Sequence, residues 1–182
     1  MTAGGNDLDY IGSFLRGSVM NTWAKPATIF GRRVANRIRA RVSYLRDESA
    51  YDAVTDSLAE VVKRAQERAP RARVLLVDYL AVVGPATRPR LDVPLNEEQL
   101  PSIALMADRL AGVFAAAAER TGAELVAVSE LSKQHAVGSP EPWTTGFTVR
   151  PPALGGFMPY HPNAAGMAAV ADLIARHLEQ TA

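Results

Sequence analysis

Two short apolar runs separated by a helical pattern constrain the fold of this chain more than any other feature. The runs are Val74–Leu80 and Glu124–Ser129, and neither alternates between polar and apolar residues as a half-exposed strand would. Between them, from about Glu97 to Thr121, apolar residues recur at helical spacing, and Gly122 ends the pattern. Strands that are buried on both faces and joined by a helix are typical of a parallel sheet. We therefore predict an α/β fold.

Helical patterns also flank the two predicted strands. Ser49 is placed to cap a helix that runs to about Arg68, and the last helix is predicted from Ala164 to about Glu179. The predicted architecture is a three-layer sandwich in a single domain of residues 1–182. The irregular segment Lys133–Tyr160 contains five prolines and follows the second strand. It should gather at the carboxyl edge of the sheet, where such folds bind ligands.

Composition excludes several classes of function. The net charge is +1, which gives no basic field for nucleic acid, and the absence of cysteine excludes disulfides, thiol catalysis and Cys-ligated zinc. Three scattered histidines do not have the spacing of a metal site. No run approaches the length needed to cross a bilayer, and Met1–Gly5 does not resemble a signal peptide. Nothing in the residues fixes a cellular compartment or an oligomeric state.

A basic segment at about residues 12–47 has two interpretations. Its second half has apolar residues at helical spacing among six arginines, which predicts a basic amphipathic helix. The helix either covers the core as a lid-like surface element with solvated arginines or touches a lipid interface. The apolar positions are Phe30, Val34, Ile38, Val42 and Leu45.

Two short segments could carry chemistry. Gly4 and Gly5 form a turn with Asn6 and Asp7, and the Asn6 amide could donate a hydrogen bond to a developing oxyanion. The alternative is that these residues only make a turn. His161 directly follows the irregular segment, just before the last helix, and could act as a general base. Its alternative is an ordinary surface histidine.

Two further side chains lie in the irregular segment near the predicted site. His135 follows the second strand and is a candidate for substrate contact, together with Trp143 in the proline-rich loop. The alternative for His135 is a loop histidine held by a hydrogen bond.

The turn at Asn6 and the run His-Pro-Asn-Ala-Ala-Gly from His161 to Gly166 resemble the third and fifth sequence blocks of the SGNH (GDSL-type) serine hydrolases. The resemblance extends from Thr2 to Leu178 and is closest to actinobacterial-type esterases and lipases. It implies the SGNH hydrolase fold with a flavodoxin-like sheet. It also implies hydrolysis of a small-molecule or lipid ester through an acyl-enzyme, without metal or cofactor. Asn6 would then serve the oxyanion hole, supported by Gly4, Gly5 and Asp7, and His161 would be the general base.

The chain departs from the family pattern in two places. The Gly-Asp-Ser block that carries the nucleophile is absent. The usual Asp three residues before the histidine is Met158 here, so we expect the backbone carbonyl of Met158 to orient the imidazole. Five other serines could in principle replace the missing nucleophile, but none of them lies in a nucleophile motif. They are Ser13, Ser18, Ser129, Ser132 and Ser139.

These departures predict a truncated, inactive copy of an esterase or lipase that lacks the N-terminal strands of the sheet. The resemblance is compatible with a secreted or cell-envelope parent protein. The alternative is a non-catalytic α/β module that binds lipid or protein. A flavodoxin-like binding domain is less well supported, because the chain has neither a Gly-x-Gly-x-x-Gly pattern nor a P-loop lysine.

Overall fold

The computed structural model describes Ser18, residues 47–147 and residues 159–181. The elements in chain order are α1 (Glu48–Arg68), β1 (Leu75–Val77), α2 (Gln99–Thr121), β2 (Glu124–Val126), α3 (Val128–Ser132), a 3-10 turn (Lys133–His135) and α4 (Ala164–Gln180).

The two strands pair in parallel, as predicted from their flanking sequence. Leu75 lies opposite Glu124, and Val77 lies opposite Val126. Each strand has three residues and is therefore shorter than the apolar run that predicted it. Within the described part of the chain these strands form a two-stranded sheet, joined through α2.

Helices cover both faces of this sheet. The side chain of Leu76 lies on the face covered by α1 and α2, whereas Val77 and Val126 lie on the face covered by α4. This alternation follows from the two-residue period of a strand. The three-layer α/β arrangement is therefore confirmed. The α1 and α2 side chains that pack with Leu76 are mainly Tyr51, Val54, Leu58, Val62, Met106, Leu110 and Phe114.

The apolar face of α4 is only partly covered. Val170, Leu173 and Ile174 pack against the strands, but Met167 is 59% exposed and Leu178 is 37% exposed. A helix is about 10 Å wide, whereas neighbouring strands lie about 5 Å apart. Within the described residues, the two strands and the segments beside them therefore cover only part of α4.

The helix ends follow local signals. Gly122 ends α2 in the left-handed conformation (φ 67°), as predicted. At the start of α2, the Asn96 side chain accepts hydrogen bonds from the backbone N–H groups of Glu98 and Gln99, and the Gln99 side chain accepts one from Asn96 N–H. This reciprocal arrangement resembles a capping box, and α2 begins two residues later than expected. Helix α1 begins at Glu48, with Asp47 rather than Ser49 at the N-cap.

Helix α2 corrects one expectation from the sequence. By length and composition it could cross a membrane, although no such segment was predicted. Its residues Met106, Leu110 and Phe114 are buried against α1 and the sheet. A core helix meets the same criteria of length and composition, and these side chains place one face of α2 in the core.

An ionic cluster joins the sheet to the end of α4. The carboxylate of Glu124 accepts hydrogen bonds from Arg73 at 2.7 and 2.6 Å and lies 2.8 Å from Nε2 of His177. The hydrogen bonds from Arg73 lower the pKa of Glu124 to about 2, although burial opposes this and His177 assists it. The charged form of Glu124 is thus favoured in the folded protein.

This cluster predicts a specific sensitivity to acid. The pKa of Glu124 is lower in the folded than in the unfolded protein. The stabilising effect of the Glu124 carboxylate is therefore complete above about pH 4.5 and is lost as the pH falls towards about 2. The Glu124→Gln variant should lose less stability over this interval than the unmodified chain. Thermal unfolding followed by circular dichroism measures the difference. Glu60→Gln, which breaks the exposed Arg64–Glu60 pair, is the control and should keep the acid sensitivity. Equal acid sensitivity with and without Glu124 would contradict the prediction.

Candidate active site

A short antiparallel bridge fixes the backbone of His161. The N–H of His161 donates to Thr145 Oγ1 at 3.1 Å, and the N–H of Thr145 donates to the carbonyl of His161 at 2.8 Å. On either side, Tyr160 N–H donates to the carbonyl of Thr145 at 3.0 Å, and Thr144 forms a bridge with Pro162. These hydrogen bonds therefore hold the backbone in place at His161.

Tyr160, next to the histidine, has an uncommon backbone conformation. Its φ is 62°, in the left-handed region that non-glycine residues rarely adopt. Its side chain is buried, stacks on Phe147 with ring centroids 6.2 Å apart, and hydrogen-bonds through its hydroxyl to Ser18. This packing offsets the cost of the backbone conformation, as is common beside functional residues.

The imidazole of His161 is oriented by a backbone carbonyl. Its Nδ1 lies 2.9 Å from the carbonyl oxygen of Pro159. Because a carbonyl can only accept, Nδ1 must carry the proton, and in the neutral ring Nε2 then has a lone pair. A partly exposed imidazole in this tautomer can accept a proton from a neighbouring group. The carbonyl expected from the sequence, that of Met158, lies outside the described residues.

The remaining residues of the His161–Gly166 motif join this loop to α4. Asn163 caps α4: its Oδ1 accepts from Gly166 N–H at 2.8 Å. Its Nδ2 donates to the carbonyl of Pro142 at 2.6 Å. Gly166 lies so close to Trp143 that an added Cβ would be 2.1 Å from the Trp143 carbonyl oxygen. Asn163 and Gly166 therefore hold the two segments in contact.

His135 and Trp143 lie against each other in the same loop. Their rings stack with centroids 4.1 Å apart and an interplanar angle of 5°. Nδ1 of His135 is 2.9 Å from the carbonyl of Glu141, and Trp143 N–H donates to the carbonyl of His135 at 2.8 Å. This is the arrangement of a loop histidine held by hydrogen bonds. Both side chains are partly exposed, and substrate contact by them stays a prediction.

A pair that sequence reasoning did not connect lies at the carboxyl end of β1. The carboxylate of Asp78 accepts from Ser129 N–H at 2.8 Å and from Ser129 Oγ at 2.5 Å. Burial raises the pKa of Asp78, and the hydrogen bonds from Ser129 only partly oppose this. The carboxylate lies at the start of α3, where the exposed N–H groups of a helix favour negative charge. Ser129 thus belongs to α3 and does not end a strand.

Several predicted site residues are outside the described ranges. They are Asn6, Gly4, Gly5, Asp7 and Met158, together with the basic segment at about 12–47 apart from Ser18. Residues 47–147 and 159–181 contain no group of three His, Asp or Glu side chains that could hold a metal ion.

The chain is similar to known lipases. The model of the GDSL-like lipase/acylhydrolase family matches residues 1–169. The extracellular lipase of Streptomyces rimosus superposes with a TM-score of 0.62 at 22% identity, covering 91% of this chain and 62% of that one. Phospholipase A1 of Streptomyces albidoflavus gives 0.61 at 19% identity, covering 92% of this chain and 62% of that one. No curated protein sequence matches significantly.

These similarities agree with the architecture. At such identities the solved structures show the fold, and this chain spans less than two thirds of their length. The family match covers most of the chain and includes both the Asn6 turn and the His161–Gly166 motif. The chain therefore belongs to the GDSL-like lipase/acylhydrolase family and has the α/β fold of the SGNH lipases.

Proposed function

We propose that this chain carries the general base and the oxyanion-binding turn of a carboxylic-ester hydrolase. The observation that supports it most is the hydrogen bond between His161 Nδ1 and the Pro159 carbonyl, because it leaves Nε2 as the proton acceptor. A serine hydroxyl attacks the ester carbonyl while Nε2 accepts its proton, and the imidazolium then protonates the leaving alcohol. In the second step, water attacks the acyl-enzyme while Nε2 accepts its proton, and the serine leaves as its hydroxyl when the acid is released. The Asn6 amide donates to the oxyanion in both steps.

The Pro159 carbonyl takes the place that a carboxylate has in a Ser-His-Asp triad. It fixes the tautomer and the ring orientation of His161. A carbonyl dipole stabilises the imidazolium less than a carboxylate would, so this dyad depends more on orientation than on charge. Asp78 is not proposed as a substitute, because His161 Nδ1 already donates to the Pro159 carbonyl and the Asp78 carboxylate is paired with Ser129.

The nucleophile in this proposal is not one of the serines of the described sheet edge. Ser129 Oγ donates to Asp78, and Ser132 Oγ accepts from Ala81 N–H at 2.8 Å. Ser18 is buried and bonded to the Tyr160 hydroxyl. With no Gly-Asp-Ser in the 182 residues, the chain as given is proposed to be inactive. A lipid ester is the proposed substrate, and the basic segment at about 12–47 remains a candidate for contact with a lipid interface.

A second candidate function is a non-catalytic module that binds lipid or protein. The exposed apolar side chains Met167 and Leu178 on α4 favour it, because such residues occur at interaction surfaces. Under this proposal, loss of His161 leaves the function of the protein unchanged.

Hydrolysis of p-nitrophenyl butyrate tests the first proposal. The chain as given should show no turnover above its His161→Ala variant, because a base without a nucleophile cannot form the acyl-enzyme. Robust turnover that a serine-directed phosphonate abolishes would show that an internal serine attacks. The assignment of the nucleophile would then be wrong.

A further inference from the structure

A cavity of about 420 Å³ lies between α2 and the segment that follows β1. One wall is formed by Tyr79, Leu80 and Val83, and the other by Leu100 and by alanines of α2 that include Ala111. The volume is in the range of cavities that bury small ligands, and the lining is mainly apolar, which favours an aliphatic group.

The cavity adjoins the packing that holds the candidate base. Val83, Leu100 and Ala104 line the cavity and also pack in one cluster with Tyr160, the residue before His161. A chain bound in the cavity would therefore rest on the side chains that support the His161 backbone. The cavity and the backbone that carries His161 are therefore linked through one packed cluster.

The polar groups of the lining determine whether the polar group of a bound ligand can be charged or must be neutral. Ser129 Oγ donates its single proton to Asp78, so it can only accept from a ligand. Lys133 is already held by Glu130 at 2.6 Å and by Asp108 at 3.3 Å. Among the described residues of the lining, Asp108 and Glu97 carry carboxylates and Lys133 carries an ammonium. A ligand carboxylate would meet like charges, whereas an uncharged hydroxyl would find an acceptor.

We propose that this cavity binds an aliphatic alcohol, the leaving group of the ester reaction. The identification of the alcohol as leaving group rests on the proposed function, whereas the binding itself does not. The alkyl chain lies along α2, and the hydroxyl donates to Ser129 Oγ. The fatty acid released by hydrolysis is excluded by its charge, so the two products leave the protein differently.

Calorimetric titration with 1-decanol and with decanoate tests the proposal, because the two ligands have the same chain. We expect decanol to bind about tenfold more tightly, since burying an unpaired carboxylate is costly. Asp108→Asn should raise the affinity for decanoate about threefold and leave that for decanol unchanged. Decanoate binding as tightly as decanol, or no binding of decanol, would overturn the proposal.

Matched substitutions on α2 locate the binding. Ala111→Phe places a ring in the cavity and should abolish decanol binding, whereas Leu105→Phe, at an exposed position of the same helix outside the lining, should leave it unchanged. Ala111→Leu serves if the larger residue prevents folding, and it should weaken binding several-fold. Equal affinities of the variants at positions 111 and 105 would place the alcohol elsewhere and overturn the proposal.

The two proposals fail in different ways. His161→Ala should bind decanol normally, because the imidazole does not line the cavity. If decanol binds but no nucleophile-bearing form of the protein hydrolyses esters, the proposed function is wrong and the cavity assignment stands. If esters are hydrolysed and decanol does not bind, only the cavity assignment is wrong.

Discussion

His161→Ala should lower kcat for p-nitrophenyl butyrate by about four to six orders of magnitude in a form of the hydrolase that has its nucleophile. Such a form can be made by joining this chain to a segment of a family member that carries Gly-Asp-Ser. The loss is large because Nε2 of His161 is the proposed acceptor of the serine proton, while Nδ1 is occupied by the Pro159 carbonyl. KM should change little, since the imidazole acts on the reacting atoms and not on the alkyl chain.

His135→Ala is the matched control for this prediction. His135 is also a partly exposed imidazole whose Nδ1 meets a backbone carbonyl in the same loop. Its removal should leave kcat within about threefold, an effect of the size of one weak contact. Asn6→Ala should cost about 10²- to 10³-fold, as expected for one oxyanion donor. A greater loss at His135 than at His161 would show that the wrong histidine was assigned.

Gly166→Ala should destabilise the fold by about 2–4 kcal/mol, through overpacking and loss of the α4 cap. The new Cβ would lie 2.1 Å from the carbonyl oxygen of Trp143 and 2.9 Å from its carbonyl carbon. Both are backbone atoms, so no side-chain rotation relieves the clash and α4 must move away from the loop. That movement breaks the hydrogen bond from Gly166 N–H to Asn163. Urea unfolding followed by tryptophan fluorescence measures the loss.

Gly112→Ala provides the opposite outcome in the same assay. A Cβ at Gly112 meets no atom within 4 Å, and the residue lies inside α2. Alanine should therefore stabilise the protein by about 0.5–1 kcal/mol, through its higher helix propensity. If Gly166→Ala unfolded at the same urea concentration as the unmodified chain, the close contact between α4 and the loop would be disproved.

Features fixed by neighbouring residues could be predicted from the sequence. Gly122 ends α2 because only a residue that tolerates positive φ fits there, and Asn163 caps α4 through a bond three residues away. The parallel pairing of β1 and β2 follows from the helix between them. The role proposed for His161 could be predicted because its motif consists of consecutive residues.

Features that depend on distant partners could not be predicted. Helix α3 begins inside a run that predicts a strand, because the Asp78 carboxylate, 51 residues earlier, accepts from its first turn. Which carbonyl meets His161 depends on the left-handed turn at Tyr160, which its buried ring stabilises. Met167 is 59% exposed, because the burial of a helix residue depends on what packs against it, which no local pattern encodes.

The residues of the His161–Gly166 motif have different roles, and this difference has a consequence for evolution. Only the first residue of the motif is proposed to transfer a proton, whereas Asn163 and Gly166 hold the junction between the loop and α4. Selection for folding acts on these two whether or not the protein is an enzyme. A descendant that lost its chemistry would thus keep most of the signature by which lipases are recognised. In this family the last motif marks ancestry and architecture, and catalytic competence must be judged from the nucleophile.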